Sequence, residues 1–426
     1  MGIGNEALEI EPLRAPIRAT VELPGSKSLT NRALVVAALA DGESCLRNTL
    51  ESDDTRWMRE ALVRLGFEVT REGSTIRVGG RAGMIPAREA ELYGGNAGTA
   101  VRFLTSLVAL GHGRYRIDGD RRMRERPIGD LLGALGTLGA HARSEPGNGC
   151  PPLIVEADGL EGGEVAVAGQ TSSQYASSIL MVAPYARREV RLRVTGELVS
   201  RPFVDMTIEV MRRFGIACAR DGGSIRVPAG ACYAPRDMTI EPDATAASYF
   251  LAAAALVGGE ITVPGLGSDS LQGDLGFTEV LSAMGASVTV GETGVTVRGN
   301  RLQGFDHDFR AISDTFLTAA ALAPFASTPS RIRGIGHTRH QETDRVAAVA
   351  RELRRLGVSV TETADSLEIR PSTVHGGEVE TDDDHRMAMS FALVGLRVPG
   401  VRIRNPGCVA KTFPDYFDRL RRLGRR

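Results

Sequence analysis

Of the 51 basic residues only two are lysine, Lys27 and Lys411; the other 49 are arginine. An arginine-rich coding habit would give the same tilt. The two types still differ chemically, because an ammonium can lose its proton where charge is disfavoured and a guanidinium keeps it. Lys27 and Lys411 are therefore the basic positions able to join in proton transfer. Each sits in a short run of small and polar residues: Pro24-Gly25-Ser26-Lys27-Ser28-Leu29-Thr30-Asn31-Arg32, and Ala410-Lys411-Thr412-Phe413-Pro414. Further runs of this kind are Gly95-Asn96-Ala97-Gly98-Thr99-Ala100, Arg122-Met123-Arg124-Glu125-Arg126-Pro127, Ser172-Ser173-Gln174, Glu342-Thr343-Asp344-Arg345 and Asp384-His385-Arg386. The first lacks the GxxxxGK[ST] spacing of a nucleotide loop, and the Gly95 run lacks the GxGxxG spacing of a dinucleotide site.

The elements that must position these residues repeat along the chain. Six segments open with Gly, Ser, Thr, Gln or Asp, continue as an Ala/Leu-rich helix and end in a short strand. They begin near Gly25, Gly95, Gln170, Asp243, Asp314 and Asp384, at intervals of 70, 75, 73, 71 and 70 residues. A second, amphipathic helix follows in each, as in Met58, Leu62 and Leu65, and Leu65-Gly66, Phe214-Gly215 and Leu356-Gly357 mark where such helices stop. The first helices are apolar nearly all round, which predicts burial on every side. A buried helix must direct its amino end somewhere, and the unpaired N–H groups there favour anions. Taken one at a time, these openings read equally well as ordinary N-caps. Basic residues at the same openings (Lys27, Arg32, Arg102, Arg201, Arg345 and Arg386) favour anion sites.

Composition bounds the rest. A chain of 426 residues exceeds what one core usually serves, which predicts two domains of three repeats, divided near Glu241-Pro242-Asp243. With 42% apolar and 24% charged residues and a formal charge of −1, it reads as globular, without the bulk field that would draw nucleic acid or an acidic membrane. The five cysteines are odd in number and contain no CxxC pair, which argues against a disulfide framework or zinc site and fits a reducing cytoplasm. The opening residues carry acids and no apolar stretch, so no signal peptide is expected, and the interrupted Ala-rich runs predict no membrane span.

Together, in order and spacing from PGSKSLTNRAL to AKTFPDYF, these runs resemble the 5-enolpyruvylshikimate-3-phosphate synthase family over the full length of the chain. The resemblance implies an α/β fold, a two-domain inverse barrel of three βαβαββ repeats per domain. Residues 24–242 would form the N-terminal domain, and 1–23 with 243–426 the C-terminal domain, with the active site in the cleft between. The implied reaction passes the enolpyruvyl group of phosphoenolpyruvate to the 5-hydroxyl of shikimate 3-phosphate. It calls for no metal or organic cofactor, and a monomer is expected. The resemblance places Ser28, Arg32, Ser172, Ser173 and Ser200 around shikimate 3-phosphate. It places Lys27, Gly98, Arg126, Gln174, Arg345, Arg386 and Lys411 around phosphoenolpyruvate, with Asp314 and Gln341 completing the substrate-binding set. Asp314 would take the hydroxyl proton, and Glu342 would protonate the methylene carbon and later take that proton back. Lys27 would assist, and Lys411 would neutralise phosphate charge. Space at Gly98 implies sensitivity to glyphosate.

Against each role stands a plainer one: Asp314 as an N-cap, Glu342 as a surface partner of Arg345 three residues on, Ser172 and Ser173 as caps, Arg126 as a loop charge. The chain also departs from the family pattern. Phe203 stands where tyrosine is common, Phe103 where proline is, His337 for an asparagine and Gln341 for a lysine. These keep open a paralogue that acts on another shikimate-like acceptor. The sister family that acts on UDP-N-acetylglucosamine typically has a reactive cysteine in the loop that here runs from Gly119 to Pro127, and this loop has none.

Overall fold

The computed structural model describes residues 7–13 and 16–424. The six apolar openings all become helices: Lys27–Leu39, Gly98–Val108, Ser173–Val182, Ala244–Val257, Phe316–Leu322 and His385–Gly395. Every residue of the Gly98–Val108, Phe316–Leu322 and His385–Gly395 helices is buried, as their all-round apolar character requires. Amphipathic helices follow, among them Asp53–Arg64, Pro202–Arg213 and Arg345–Arg355. Each of these three stops at a glycine in the left-handed region, Gly66 at φ 89°, Gly215 at 95° and Gly357 at 88°. The next amide reaches back to the helix in all three cases, Phe67 to the Leu62 carbonyl, Ile216 to Met211 and Val358 to Leu353. A side chain at such a glycine would cost roughly 1–2 kcal/mol.

The chain divides into two compact units, one of them Gly25–Ile240 and the other the described residues up to Pro24 together with those from Glu241 onward. Pro24, Glu241 and Pro242, expected in the continuous unit, group with the discontinuous one. Hydrogen bonds explain why: the Asp243 amide donates to the Pro24 carbonyl (3.0 Å), Ser270 Oγ to the Glu241 carboxylate (2.7 Å) and Gln272 Nε2 to the Pro242 carbonyl (2.7 Å).

Each unit builds its sheets on one plan. A leading strand pairs in parallel with the strand after the buried helix, and that strand pairs antiparallel with a hairpin. In the continuous unit Gly163–Ala168 lies parallel to Val190–Thr195, which is followed in the sheet by Ser224–Val227 and Ala219–Asp221. The first sheet of this unit takes its leading strand, Asp237–Thr239, from the far end of the unit, where it pairs in parallel with Glu43–Arg47. In the discontinuous unit Ile17–Thr20 fills the same place, parallel to Gly259–Pro264. Among the described residues five sheets have four strands each and none closes on itself, so the expected barrel consists of separate open sheets.

The sixth repeat breaks the pattern. Its sheet has three strands, Leu8–Glu9, Arg402–Ile403 and Glu378–Val379. A helix, Tyr416–Arg422, follows it in place of a hairpin, and Leu8–Glu9 pairs along the edge where the hairpin would lie. In the discontinuous unit the three buried helices pack on one another, and in the continuous unit Gly98–Val108 packs on the other two. Among the described residues no helix is long and apolar enough to cross a membrane.

Candidate active site

In the continuous unit, Ser26 caps the first helix by accepting from the Leu29 amide (3.4 Å), which leaves Lys27 as its first residue. The Lys27 ammonium lies 3.4 Å from the carboxylate of Asp54, a buried acid whose position at a helix start gave no sequence signal beyond capping. One turn on, Arg32 is almost wholly enclosed. Its guanidinium donates to Thr207 Oγ1 (2.7 Å), Ser177 Oγ (3.3 Å) and the carbonyls of Ser28 (2.9 Å) and Phe203 (3.1 Å). It also stacks on Phe103 and Phe203, at 5.2 and 5.7 Å from the ring centroids. None of these partners is a carboxylate, so burial pushes Arg32 well below the ordinary arginine range. The two phenylalanines that depart from the family pattern thus meet on one cation.

A second group surrounds the start of the Gly98–Val108 helix, which no side chain caps. Arg102 donates to the carbonyls of Gly98 (3.0 Å) and Pro127 (3.2 Å), and Arg126 to the Asn96 carbonyl and side chain (3.1 and 3.0 Å). A Cβ on Gly98 would fall 2.5 Å from Arg102 Nη1 and 2.7 Å from Arg126 Nη2, so only glycine allows this approach. Ser172 caps the next helix through the Gln174 amide (3.2 Å), and Gln174 Nε2 reaches Thr99 Oγ1 (3.2 Å). The buried Gln174 Oε1 has no hydrogen-bond partner among the described residues. Ser173 is buried at the helix start, and Ser200, also buried, holds a left-handed backbone at φ 53°. Ser28 lies half-buried.

The discontinuous unit gathers charges of both signs. Asp314 lies on a single 3-10 turn, Ser313–Thr315, and no side chain caps the helix behind it. Its carboxylate instead accepts from Arg345 Nη1 (3.1 Å) and Arg386 Nη2 (2.7 Å). The capping role open to it in sequence is therefore not the one it plays.

Arg345 also donates through Nε to Asp384 (2.7 Å) and pairs through Nη2 with Glu342 (2.9 Å). The far oxygen of Glu342 lies 3.6 Å from the Lys411 ammonium. The i, i+3 pair of Glu342 and Arg345 exists, but it is buried rather than superficial, the two side chains being 9% and 1% exposed. Burial works against the Arg345 charge; Asp384, Glu342 and Asp314 outweigh it and raise its pKa above the ordinary value. Arg386, against burial, is raised in the same sense by Asp314. It also donates to the hydroxyl of Tyr249 (3.4 Å), a residue that spacing did not single out.

The remaining departures fall beside these groups. Gln341 accepts a hydrogen bond from Arg345, which a lysine cannot do. His337 shares a 3.0 Å hydrogen bond with Ser313 Oγ; burial lowers its pKa, with Asp314 acting the other way. Arg124 and Arg339 make ion pairs with Asp118 and Asp344. Burial raises the Cys408 thiol far above its usual range, which disfavours a thiolate near Lys411. Among the described residues no three His, Cys, Asp or Glu gather as metal ligands.

Comparison with known proteins gives this arrangement a setting. A family model described as EPSP synthase (3-phosphoshikimate 1-carboxyvinyltransferase) matches residues 13–420. Proteins called 3-phosphoshikimate 1-carboxyvinyltransferase from Nostoc punctiforme and Thiobacillus denitrificans are each 47% identical to it. Both matches cover 97% of this chain, and 98% and 99% of those proteins. Among solved structures, EPSP synthase from Acinetobacter baumannii matches at a TM-score of 0.83, with 24% identity over 98% of both chains. The enolpyruvyl transferase NikO from Streptomyces tendae matches at 0.80, with 22% identity over 98% of this chain and 97% of that one. At such identities the structures show a shared fold.

Proposed function

The chain belongs to the EPSP synthase family, and from that premise we propose how its residues carry the family's reaction. It is an enolpyruvyl transferase that joins phosphoenolpyruvate to the 5-hydroxyl of shikimate 3-phosphate and releases phosphate through a tetrahedral intermediate. Each substrate carries a carboxylate and a phosphate, which suits guanidinium forks and uncapped helix starts. Ser28, Arg32, Ser172, Ser173 and Ser200 hold shikimate 3-phosphate. Lys27, Gly98, Arg126, Gln174, Arg345, Arg386 and Lys411 receive phosphoenolpyruvate, and Gln341 keeps Arg345 in place.

The proton steps fall to the two carboxylates. Asp314, its side chain 19% exposed against 9% for Glu342, is the more open of the two and takes the hydroxyl proton. Glu342 delivers a proton to the methylene carbon, and oxygen bonds to the carbon that becomes cationic. On breakdown Glu342 recovers that proton while phosphate leaves with the proton that Asp314 took from the hydroxyl, and Lys411 and Lys27 offset the charge on the departing group. The observation that carries this reading is the bridge of Glu342 between Arg345 and Lys411, which joins a proton carrier to two anion-binding cations.

The described cysteines are all free thiols, which supports a cytoplasmic enzyme, and we expect it to act as a monomer. A paralogue for another acceptor is not favoured, because the relatives from Nostoc punctiforme and Thiobacillus denitrificans share one name over nearly the whole chain. The test is phosphate release: turnover needs phosphoenolpyruvate and shikimate 3-phosphate together, and equal turnover with unphosphorylated shikimate would overturn the acceptor.

A further inference from the structure

One buried acid in the discontinuous unit takes no part in the steps above. Asp274 lies on the 3-10 turn Gly273–Gly276 and is 4% exposed. Its Oδ2 accepts a hydrogen bond from Thr245 Oγ1, at the start of the Ala244–Val257 helix. Its Oδ1 is buried without a hydrogen-bond partner among the described residues. This turn packs against the Ser313–Thr315 turn that carries Asp314. A Cβ at Gly276 would stand only 3.4 Å from Ile312 Cγ2, so the two turns are closely apposed.

We propose that Asp274 is a positioning residue for the reaction, a buried carboxyl whose charge offsets the two guanidiniums bound to Asp314. The proposal rests on Asp314 as the hydroxyl base. Arg345 and Arg386 fix that carboxylate, and by favouring its charged form they also oppose its taking a proton. A like charge nearby restores the balance without touching substrate. The charged groups acting on Asp274 are Asp314 from the neighbouring turn, Arg386 from the His385–Gly395 helix and Asp243 from the cap of the Ala244–Val257 helix. Burial first, and Asp314 second, push its pKa up to about 7, while the Thr245 bond acts against the rise. Its charge therefore changes near neutral pH.

Two measurements decide the matter. At saturating concentrations of both substrates, wild-type kcat climbs about three- to tenfold between about pH 6 and 8, as Asp274 ionises and strengthens Asp314 as a base. Asp274→Asn has no such climb, and Thr245→Ala moves it to higher pH. The second readout is stability. Because the folded chain holds a proton on Asp274 that the unfolded chain has released, folding loses stability as pH rises from the ordinary aspartate range through about 7. The melting temperature of Asp274→Asn minus that of wild type should therefore grow from about pH 5 to pH 8. A gap independent of pH, or an unchanged climb in either variant, overturns the proposal. Where Asp274→Asn does not fold, Thr245→Ala decides alone by the direction of its shift. Asp314→Asn separates the two readings: full turnover there removes Asp314 as base, while the stability gap still reports the charge on Asp274.

Discussion

Arg32 and Arg345 are both almost wholly buried, and the two units accommodate them in opposite ways. Arg32 is held by hydroxyls, carbonyls and two aromatic faces, and its positive charge has no counter-ion among its partners. Arg345 touches three carboxylates, Asp314, Glu342 and Asp384. The first environment leaves a cation in want of an anion. The second is neutralised internally and holds acids at fixed distances from their partners. The contrast sets a buried cation without a counter-ion in one unit against a cluster of paired acids and cations in the other. Lys27, paired with Asp54, is the continuous unit's exception.

The largest effect that would break this contrast is loss of the proton carrier. Glu342→Gln should lower phosphate release by about 10²- to 10⁴-fold and abolish solvent proton exchange into the phosphoenolpyruvate methylene; unchanged exchange would remove Glu342 from its role. Next comes a paired substitution. Arg345→Met strips a cation from three acids and should cost about 3–5 kcal/mol of stability in denaturant unfolding. Arg32→Met leaves no acid unpaired and should stay within about 1 kcal/mol of wild type or exceed it. It should nonetheless raise the KM for shikimate 3-phosphate by roughly 10- to 100-fold. Equal losses of stability in the two variants would erase the contrast.

The smallest effect is expected at Gly98. In Gly98→Ala the methyl group displaces the ends of Arg102 and Arg126, side chains that can move, so the fold should survive. The KM for phosphoenolpyruvate should rise by about tenfold, at a cost of about 1.4 kcal/mol in binding, and glyphosate should inhibit less well. An unchanged KM would place the anion elsewhere.

Much of this was legible because it is local. Apolar helices opened by small polar residues, and Leu-Gly or Phe-Gly stops, announce themselves through spacing and backbone preference. The resemblance likewise named Lys27, Glu342 and Arg345. What spacing cannot show is which acids are taken out of water. Asp54 reads as a helix-start acid, and Asp274 as one of two acids in a Ser/Asp/Gly loop, until neighbouring elements cover them. Asp314 is ambiguous for the same reason, since a cap and a doubly paired carboxylate look alike in sequence. The shortened sixth sheet was also hidden, because its missing edge is supplied by Leu8–Glu9 from the other end of the chain.

The Ile17–Thr20 strand carries a consequence for how the chain is made. Its partner, Gly259–Pro264, is made about 240 residues after it, a long loop to close. In the meantime Gly25–Ile240, whose sheets draw every strand from within, can fold to completion. The discontinuous unit must wait for Gly259–Pro264 before that sheet can form. Synthesis thus lets the continuous unit form while the sheet of Ile17–Thr20 is still incomplete.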